Sequence, residues 1–215
     1  MYPDLTAKTE EERSHRTKDL ITALQETNAS YVDVVIADKE GKIISSSSKV
    51  LGKEGKNLSE IGLTKLETGK SFVSSVFNSP IAQQPVFMIA SSVYDNQSNV
   101  MGYAVIEIDL RPMHRLLEER SGLGETGEVI IIDRDIRMLT QSRFSDESTV
   151  LKNVLGSHPI QQGLQGNKGE MFFRDYRGAS VLGTYRPLTA MNAVLIAKID
   201  EAEGFSPVAN SGILS

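Results

Sequence analysis

The alternation of apolar and polar positions falls into two similar stretches along the chain. Tyr31 to Ala37 reads Tyr-Val-Asp-Val-Val-Ile-Ala, rich in β-branched side chains, and predicts a strand. Asp38-Lys-Glu-Gly41 predicts a turn with Gly41 at positive φ, and Lys42 to Ser46 a returning strand. Ser45 to Gly62 is punctuated by Ser, Gly and Asn, which predicts loop and short helix. Ser71 to Phe77, Val86 to Tyr94 and Met101 to Asp109 predict three further strands. Their connections are short and polar, so the three form an antiparallel meander. Ahead of this stretch, Thr9 to Thr27 is charge-rich, with Leu20, Ile21 and Leu24 at helical spacing. It predicts a helix with one modest apolar stripe.

The pattern then starts again. Arg111 to Arg120 predicts a helix with Leu110, Met113 and Leu117 on one face, and Ser121 to Gly127 breaks it. Glu128 to Ile132 predicts a strand, Asp133-Arg-Asp-Ile136 a turn, and Arg137 to Gln141 a strand. After mixed loop and helix from Ser145 to Gly169, a second meander is predicted over Glu170 to Asp175, Ala179 to Pro187 and Ala193 to Asp200. The first stretch runs 71 residues from Asp38 to Asp109, the second 67 from Asp133 to Asp200, and each closes on Ile-Asp. Solenoid repeats are about 20–50 residues long, so this is a duplicated small α+β unit.

Composition narrows the chemistry. The chain has 215 residues, 23.6 kDa, a net charge of −5 and a pI near 5.3. Such a chain lacks the basic stripe that nucleic acid requires. Without Cys there is no disulfide scaffold, zinc knuckle, iron–sulfur cluster or thiol nucleophile, and the three His (His15, His114, His158) are isolated in sequence. Neither a metal site nor a cofactor is expected. No window approaches the ~18 apolar residues of a membrane span. Lys8 to Arg16 is charged where a signal peptide would be apolar.

Several motifs carry two readings. Gly122-Leu-Gly124-Glu-Thr-Gly127 spells G-x-G-x-x-G, but it follows a predicted helix and leads into a strand, the wrong order for a phosphate loop. Ser45-Ser-Ser-Ser48 has no neighbouring His and reads as a polar strand end. Asp95 to Asn99 reads as a hairpin turn and not a calcium loop. Asp175-Tyr-Arg-Gly178 is a Gly-containing turn whose Tyr176 and Arg177 could also reach a pocket. Glu107 and Asp109 share a strand face with Tyr103 and Val105. Two carboxylates there suit a general acid/base pair, a solvated strand end, or a pocket for a cation or amine. No catalytic residue is assigned.

In order, Val34-Val-Ile-Ala-Asp-Lys-Glu-Gly41, Lys56-Asn-Leu-Ser59, Ile89-Ala-Ser-Ser-Val-Tyr-Asp95, Val105-Ile-Glu-Ile-Asp-Leu110, Gly122 to Glu128, Asp175-Tyr-Arg-Gly178 and Ile199-Asp-Glu-Ala-Glu203 resemble a double Cache sensor domain. This is the tandem PAS-like extracytoplasmic module of prokaryotic histidine kinases, chemoreceptors and diguanylate cyclases. The resemblance spans Tyr31 to Glu203. It implies an α+β fold: a long N-terminal helix (1–30), a membrane-distal PAS-like subdomain (31–120), a membrane-proximal one (121–204) and a run-out (205–215) toward a membrane helix. Each subdomain would be a central antiparallel sheet with flanking helices and loops. It further implies a membrane-anchored parent, most simply a sensor histidine kinase, and a homodimer through the N-terminal helix. The alternatives are a ligand-free interaction or dimerisation domain, or a carboxylate-dependent hydrolase.

Amino-acid-binding members of that family carry an Arg-x-Trp-Tyr clamp for the ligand carboxylate, which Ile61 to Lys70 lacks. Their ammonium-binding Asp corresponds to Asp109, and their aromatic hydroxyl position to Phe77. The expected distal pocket is therefore Phe77, Ile89, Ser91, Tyr103 and Asp109, with Glu107 as a further candidate. A carboxylate without an Arg clamp predicts a neutral or cationic small molecule that turns an amine or hydroxyl toward Asp109. The competing proximal pocket is Tyr176, Arg177 and Tyr185, suited to an anion.

Overall fold

The computed structural model describes residues 10–48, 52–63, 66–67, 69–80, 82–118 and 122–205. The chain divides into two compact units, Met1–Leu110 and Arg111–Ser215. In the first, helix α1 (Glu10–Thr27) precedes strands β1 (Tyr31–Asp38) and β2 (Ile43–Ser46). A single 3-10 turn follows (Leu58–Ile61), then β3 (Phe72–Val73), β4 (Phe77–Asn78), β5 (Pro85–Tyr94) and β6 (Val100–Asp109). The strands pair antiparallel in the order β2-β1-β6-β5-β3, with β4 also on β5.

Period-two alternation gives this sheet two buried faces. Val34 and Ile36, with Ala104 and Ile106, meet Ile21, Leu20 and Leu24 of α1. On the opposite face, Val35, Ala37, Met88, Ala90 and Val105 pack under Leu58 and Leu63 of the long loop, beside Phe72, Phe77 and Tyr103. The 3-10 turn that starts this cover is held by a capping box between Asn57 and Glu60. The strand expected over Ser71 to Phe77 is two short ones. Between them the Ser74 hydroxyl accepts the Met88 N–H at 2.8 Å, so a side chain replaces a ladder carbonyl.

In the second unit, α2 (Arg111–Glu118) leads to β7 (Glu128–Asp133), α3 (His158–Leu164), β8 (Gly169–Arg174), β9 (Ser180–Leu188), β10 (Ala193–Asp200) and α4 (Glu201–Gly204). The sheet order is β7-β10-β9-β8, again antiparallel. Ile130, Ile132, Tyr185, Val194 and Ile196 form its core with Met138 and Ile160. The segment Arg137 to Gln141 is not the expected strand. It touches β7 by one bridge, Ile132 to Met138, and the Thr140 hydroxyl takes the Ile131 N–H at 3.2 Å where a ladder carbonyl would stand.

The boundary between units falls before α2, whereas 31–120 was expected to be one piece. The reason is local: His114 Nε2 on α2 donates to the Leu139 carbonyl at 2.6 Å, which ties that helix to the second unit. Each unit is thus a helix followed by a sheet. The two opening turns also correspond, with Gly41 at φ +83° and Ile136 at φ +59° in equivalent places. Of the expected run-out 205–215, all but Phe205 lies outside the described residues.

Candidate functional site

Directly opposed residues of an antiparallel pair lie on one face, so the register decides which side chains can meet. On the loop-covered face of the first sheet, one row is Phe77, Val86 and Asp109. The next is Met88, Glu107 and Asp33, then Ala90, Val105 and Val35, then Ser92, Tyr103 and Ala37. Ile89 opposes Ile106 and Ser91 opposes Ala104, which puts both on the α1 face. Their grouping with Tyr103 and Asp109 is corrected accordingly. The β5–β6 connection pairs even positions with odd ones, and the outward-facing Ser91 is exposed.

The row at Glu107 carries charge into the interior. Asp33 is 0 % exposed and Glu107 4 %, and they oppose each other across β1 and β6. Two carboxylates in that position repel, and Lys53 of the covering loop stands by both: its Nζ is 2.7 Å from Asp33 Oδ2 and 3.8 Å from Glu107 Oε2. Asp33 is saturated. Its oxygens also accept from the Ser46 hydroxyl at 3.0 Å, the Ser47 hydroxyl at 2.6 Å and the Ser48 N–H at 2.9 Å. That is the work of the serine run. Glu107 Oε1 is buried without a hydrogen-bond partner, and so is Ser92 Oγ. Tyr103 lines a cavity of about 540 Å³ with Ala37, Ile43, Gly55 and Gly102. Lys53, Ser46 and Ser47 line a groove of about 730 Å³ beside α1.

The second unit holds a cluster at the equivalent place. Glu128 on β7 opposes Lys198 on β10. Lys198 Nζ lies 2.8 Å from Glu128 Oε2 and 2.7 Å from Asp175 Oδ2. The β8–β9 hairpin closes the cluster. The Tyr176 hydroxyl is 2.9 and 2.8 Å from the two Glu128 oxygens and 2.5 Å from Ser142 Oγ. Arg177 bonds Asp175 at 2.7 Å, pairs with Asp200, and lies 4.1 Å over the Phe144 ring. Burial pushes the Tyr176 hydroxyl well above the usual tyrosine value, and the neighbouring Glu128 charge adds to it, against the Ser142 bond. Burial would raise the Asp175 carboxyl too, but the bonds from Lys198 and Arg177 hold it below its usual value.

The G-x-G-x-x-G loop lies beside this cluster and receives a carboxylate of its own chain. Glu203 of α4 accepts the Glu125 N–H at 2.8 Å, the Thr126 N–H at 2.7 Å and the Thr126 hydroxyl. The Thr126 hydroxyl and these N–H groups lower the Glu203 carboxyl. Gly124 stands at φ +65°, and a Cβ there would sit 2.1 Å from Glu203 Oε1, so a side chain at this position would displace that carboxylate from the loop.

Of the expected residues, Phe77, Tyr103, Glu107 and Asp109 share one face. Arg177 is engaged by two carboxylates and is not an open anion clamp. Tyr185 is buried in the apolar core, its ring against Gly169, some five residues along β9 (about 17 Å) from the Tyr176–Arg177 tip. Sequence reasoning missed Asp33, Lys53, Glu128 and Lys198. The signal was there for two of them, since Asp33 and Lys198 each interrupt a β-branched or apolar run in a strand buried on both faces, whereas Glu128 opens its strand.

A family model described as Cache domain matches residues 4–208. The extracellular domain of rpHK1S-Z16, assigned as a histidine kinase, superposes with a TM-score of 0.64 at 16% identity, over 88% of this chain and 79% of that one. The ligand-binding domain of the Pseudomonas fluorescens chemoreceptor CtaA in complex with L-leucine gives 0.59 at 15% identity, over 89% and 80%. An extracellular ligand binding receptor from Desulfohalobium retbaense gives 0.61 at 17% identity over 86% of this chain, which spans only 33% of that one. Curated proteins offer no match. At these identities the structural likeness is one of fold.

Proposed function

This chain belongs to the Cache domain family, and on that premise we propose that it is the extracytoplasmic sensing part of a transmembrane signalling receptor, taking a small molecule on the loop-covered face of its first unit. The first unit is then the membrane-distal one and the second the membrane-proximal one. The observation that carries this reading is the buried, unpartnered Glu107 Oε1 on that face, with Phe77 and Asp109 in the next row and Tyr103 further along the same face. Buried polar atoms in folded proteins almost always have partners, so an orphan on a family's binding fold marks a place for a ligand atom. A ligand acts only through its different affinity for two arrangements of the protein. Here it would bias the packing of the cover onto the sheet and, through the body of the receptor, the output. The chain binds and does not turn over its ligand: of the two carboxylates, Glu107 faces Lys53 and Asp33, a structural charge cluster. As a homodimer it would associate through α1.

A thermal-shift screen of small metabolites tests this. A true ligand at one hundred times its dissociation constant adds about 2.7 kcal/mol and raises the melting temperature visibly. If no compound across amines, sugars, carboxylates and nucleobases raises it, the chain is an interaction module without a ligand.

A further inference from the structure

An open sheet ends in edge strands whose outward N–H and carbonyl groups will pair with any strand that reaches them, so proteins shorten or cover them. In the first sheet the loop beside β2 bonds it, Ile43 to Lys56 at 2.7 Å and Gly55 to Ile43 at 2.9 Å, while β3 and β4 are two residues each. In the second sheet β7 is bonded by Leu139 to Ile131 at 2.7 Å and by the Thr140 hydroxyl. The exception is β8, an edge strand of six residues. Among the described residues, no backbone or side-chain group bonds its outer side. The Asp175 N–H donates to the Ala179 carbonyl at 3.0 Å, which sets the alternation along the hairpin. Phe173, Met171 and Gly169 therefore turn their backbone groups toward β9, and Arg174, Phe172 and Glu170 turn theirs outward. The same three carry the exposed side chains of the strand, Phe172 at 55 %. Glu170 and Arg174 stand about 13 Å apart along it, out of each other's reach. Across the ladder they oppose Thr184 and Ser180, not charges, and Arg174 bonds the Gly178 carbonyl at 2.9 Å. Among the described residues neither is in an ion pair.

We infer that β8 is a self-association edge, to which a second copy of this chain adds its own β8, antiparallel, about a two-fold axis at Phe172. Gly169-Glu-Met-Phe-Phe-Arg174 is complementary to itself in that register. Glu170 opposes the partner's Arg174, Phe172 opposes the partner's Phe172, and Arg174 opposes the partner's Glu170. These are the outward-facing residues, so every pair exchanges both of its N–H to carbonyl bonds. On the other face Met171 meets the partner's Phe173, an apolar cross-strand pair. The register is specific. A slip of one residue sets outward-facing groups against inward-facing ones, and a slip of two sets a charge against Phe172 or Lys168 against Arg174. An open edge accepts any extended segment, and here the order of charges selects a second copy. The two-fold closes the contact on itself, so it stops at a dimer. Two six-residue strands are smaller than the standard interface of about 1,600 Å², so the association is weak and reversible. It is separate from association through α1 and does not depend on a ligand.

The test is analytical sedimentation of the purified chain, which should pass from monomer to dimer with a dissociation constant between about 10 μM and 1 mM. Glu170→Arg alone and Arg174→Glu alone each set like charges opposite one another at both ends of the pair. Each should weaken dimerisation about tenfold or more. An equimolar mixture of the two variants should dimerise again, because each then meets its opposite charge at both ends. The double variant Glu170→Arg, Arg174→Glu should recover for the same reason. A folding defect in either single variant would not be mended by mixing. In the unaltered chain, hydrogen exchange at the Glu170, Phe172 and Arg174 amides should slow as the concentration rises. A chain that stays monomeric to about 1 mM overturns the inference. So does a dimer that neither single variant weakens, which would place the contact on another surface such as α1, and so does a mixture that fails to recover.

Discussion

Lys198→Met is the substitution whose effect the second cluster fixes most tightly. Lys198 is an unexposed side chain at 0 %, with Glu128 and Asp175 at 4 % and 1 %. Methionine keeps most of the volume, so the loss is one of charge and not of packing. Two carboxylates then remain in the interior without their shared cation. Removing one partner of a buried pair costs about 3–5 kcal/mol, chiefly the desolvated charge left behind. For a chain of this length each kcal/mol moves the midpoint by about 2–4 °C, so the melting temperature should fall by about 6–20 °C. The chain has no Trp, so urea unfolding is best followed by far-ultraviolet circular dichroism. The triple variant Lys198→Met, Glu128→Gln, Asp175→Asn should recover most of the loss, because no charge is left unpaired. A loss under about 1 kcal/mol, the size of an exposed pair, would refute the reasoning, as would a triple variant no better than the single.

Two further outcomes follow from the same geometry. Gly102→Ala places a Cβ 2.1 Å from the Ala37 carbonyl oxygen where β6 meets β1, and should cost about 1–3 kcal/mol or more in urea unfolding, so a loss below about 0.5 kcal/mol would contradict the close approach. Acid should weaken the fold: the folded Asp175 carboxyl lies below its ordinary 3.8, so its contribution is present above that value and is lost as pH falls from there through the folded value, and Asp175→Asn should flatten this limb of the stability profile. Tyr176, raised above 10.0, has the opposite sign: its contribution is full below that pH and fades as pH rises past it, and ultraviolet titration should find this tyrosine still un-ionised where a free one has ionised.

The strands were legible because β-branched runs and polar turns mark them locally, and the duplication because both sheets close on Ile-Asp. Register was not. Which residues of β5 oppose which of β6 depends on the Asp95 to Asn99 turn and on the irregularity between Val93 and Tyr94, and one step of slip moved Ile89 and Ser91 to the wrong face. Two strand expectations failed where Ser74 and Thr140 substitute hydroxyls for backbone carbonyls, an exchange no periodicity reveals. The charge clusters are an intermediate case. Asp33 and Lys198 announce themselves as charges in apolar strands, but Lys53 lies in a loop twenty residues from Asp33, and nothing short of the fold says that they meet.

The two lysines differ in what would have to open to release them. Lys198 sits on β10, hydrogen-bonded on one side to β7 and on the other to β9, so it can leave its carboxylates only if the sheet itself parts. Lys53 hangs from a loop held to the edge strand by a few bonds, Ile43 to Lys56 at 2.7 Å and Gly55 to Ile43 at 2.9 Å among them. Opening such a segment takes a fraction of the free energy of global unfolding. The counter-ion of the first unit can therefore be withdrawn and restored on the timescale of loop fluctuations, while that of the second stays in place for the lifetime of the folded state.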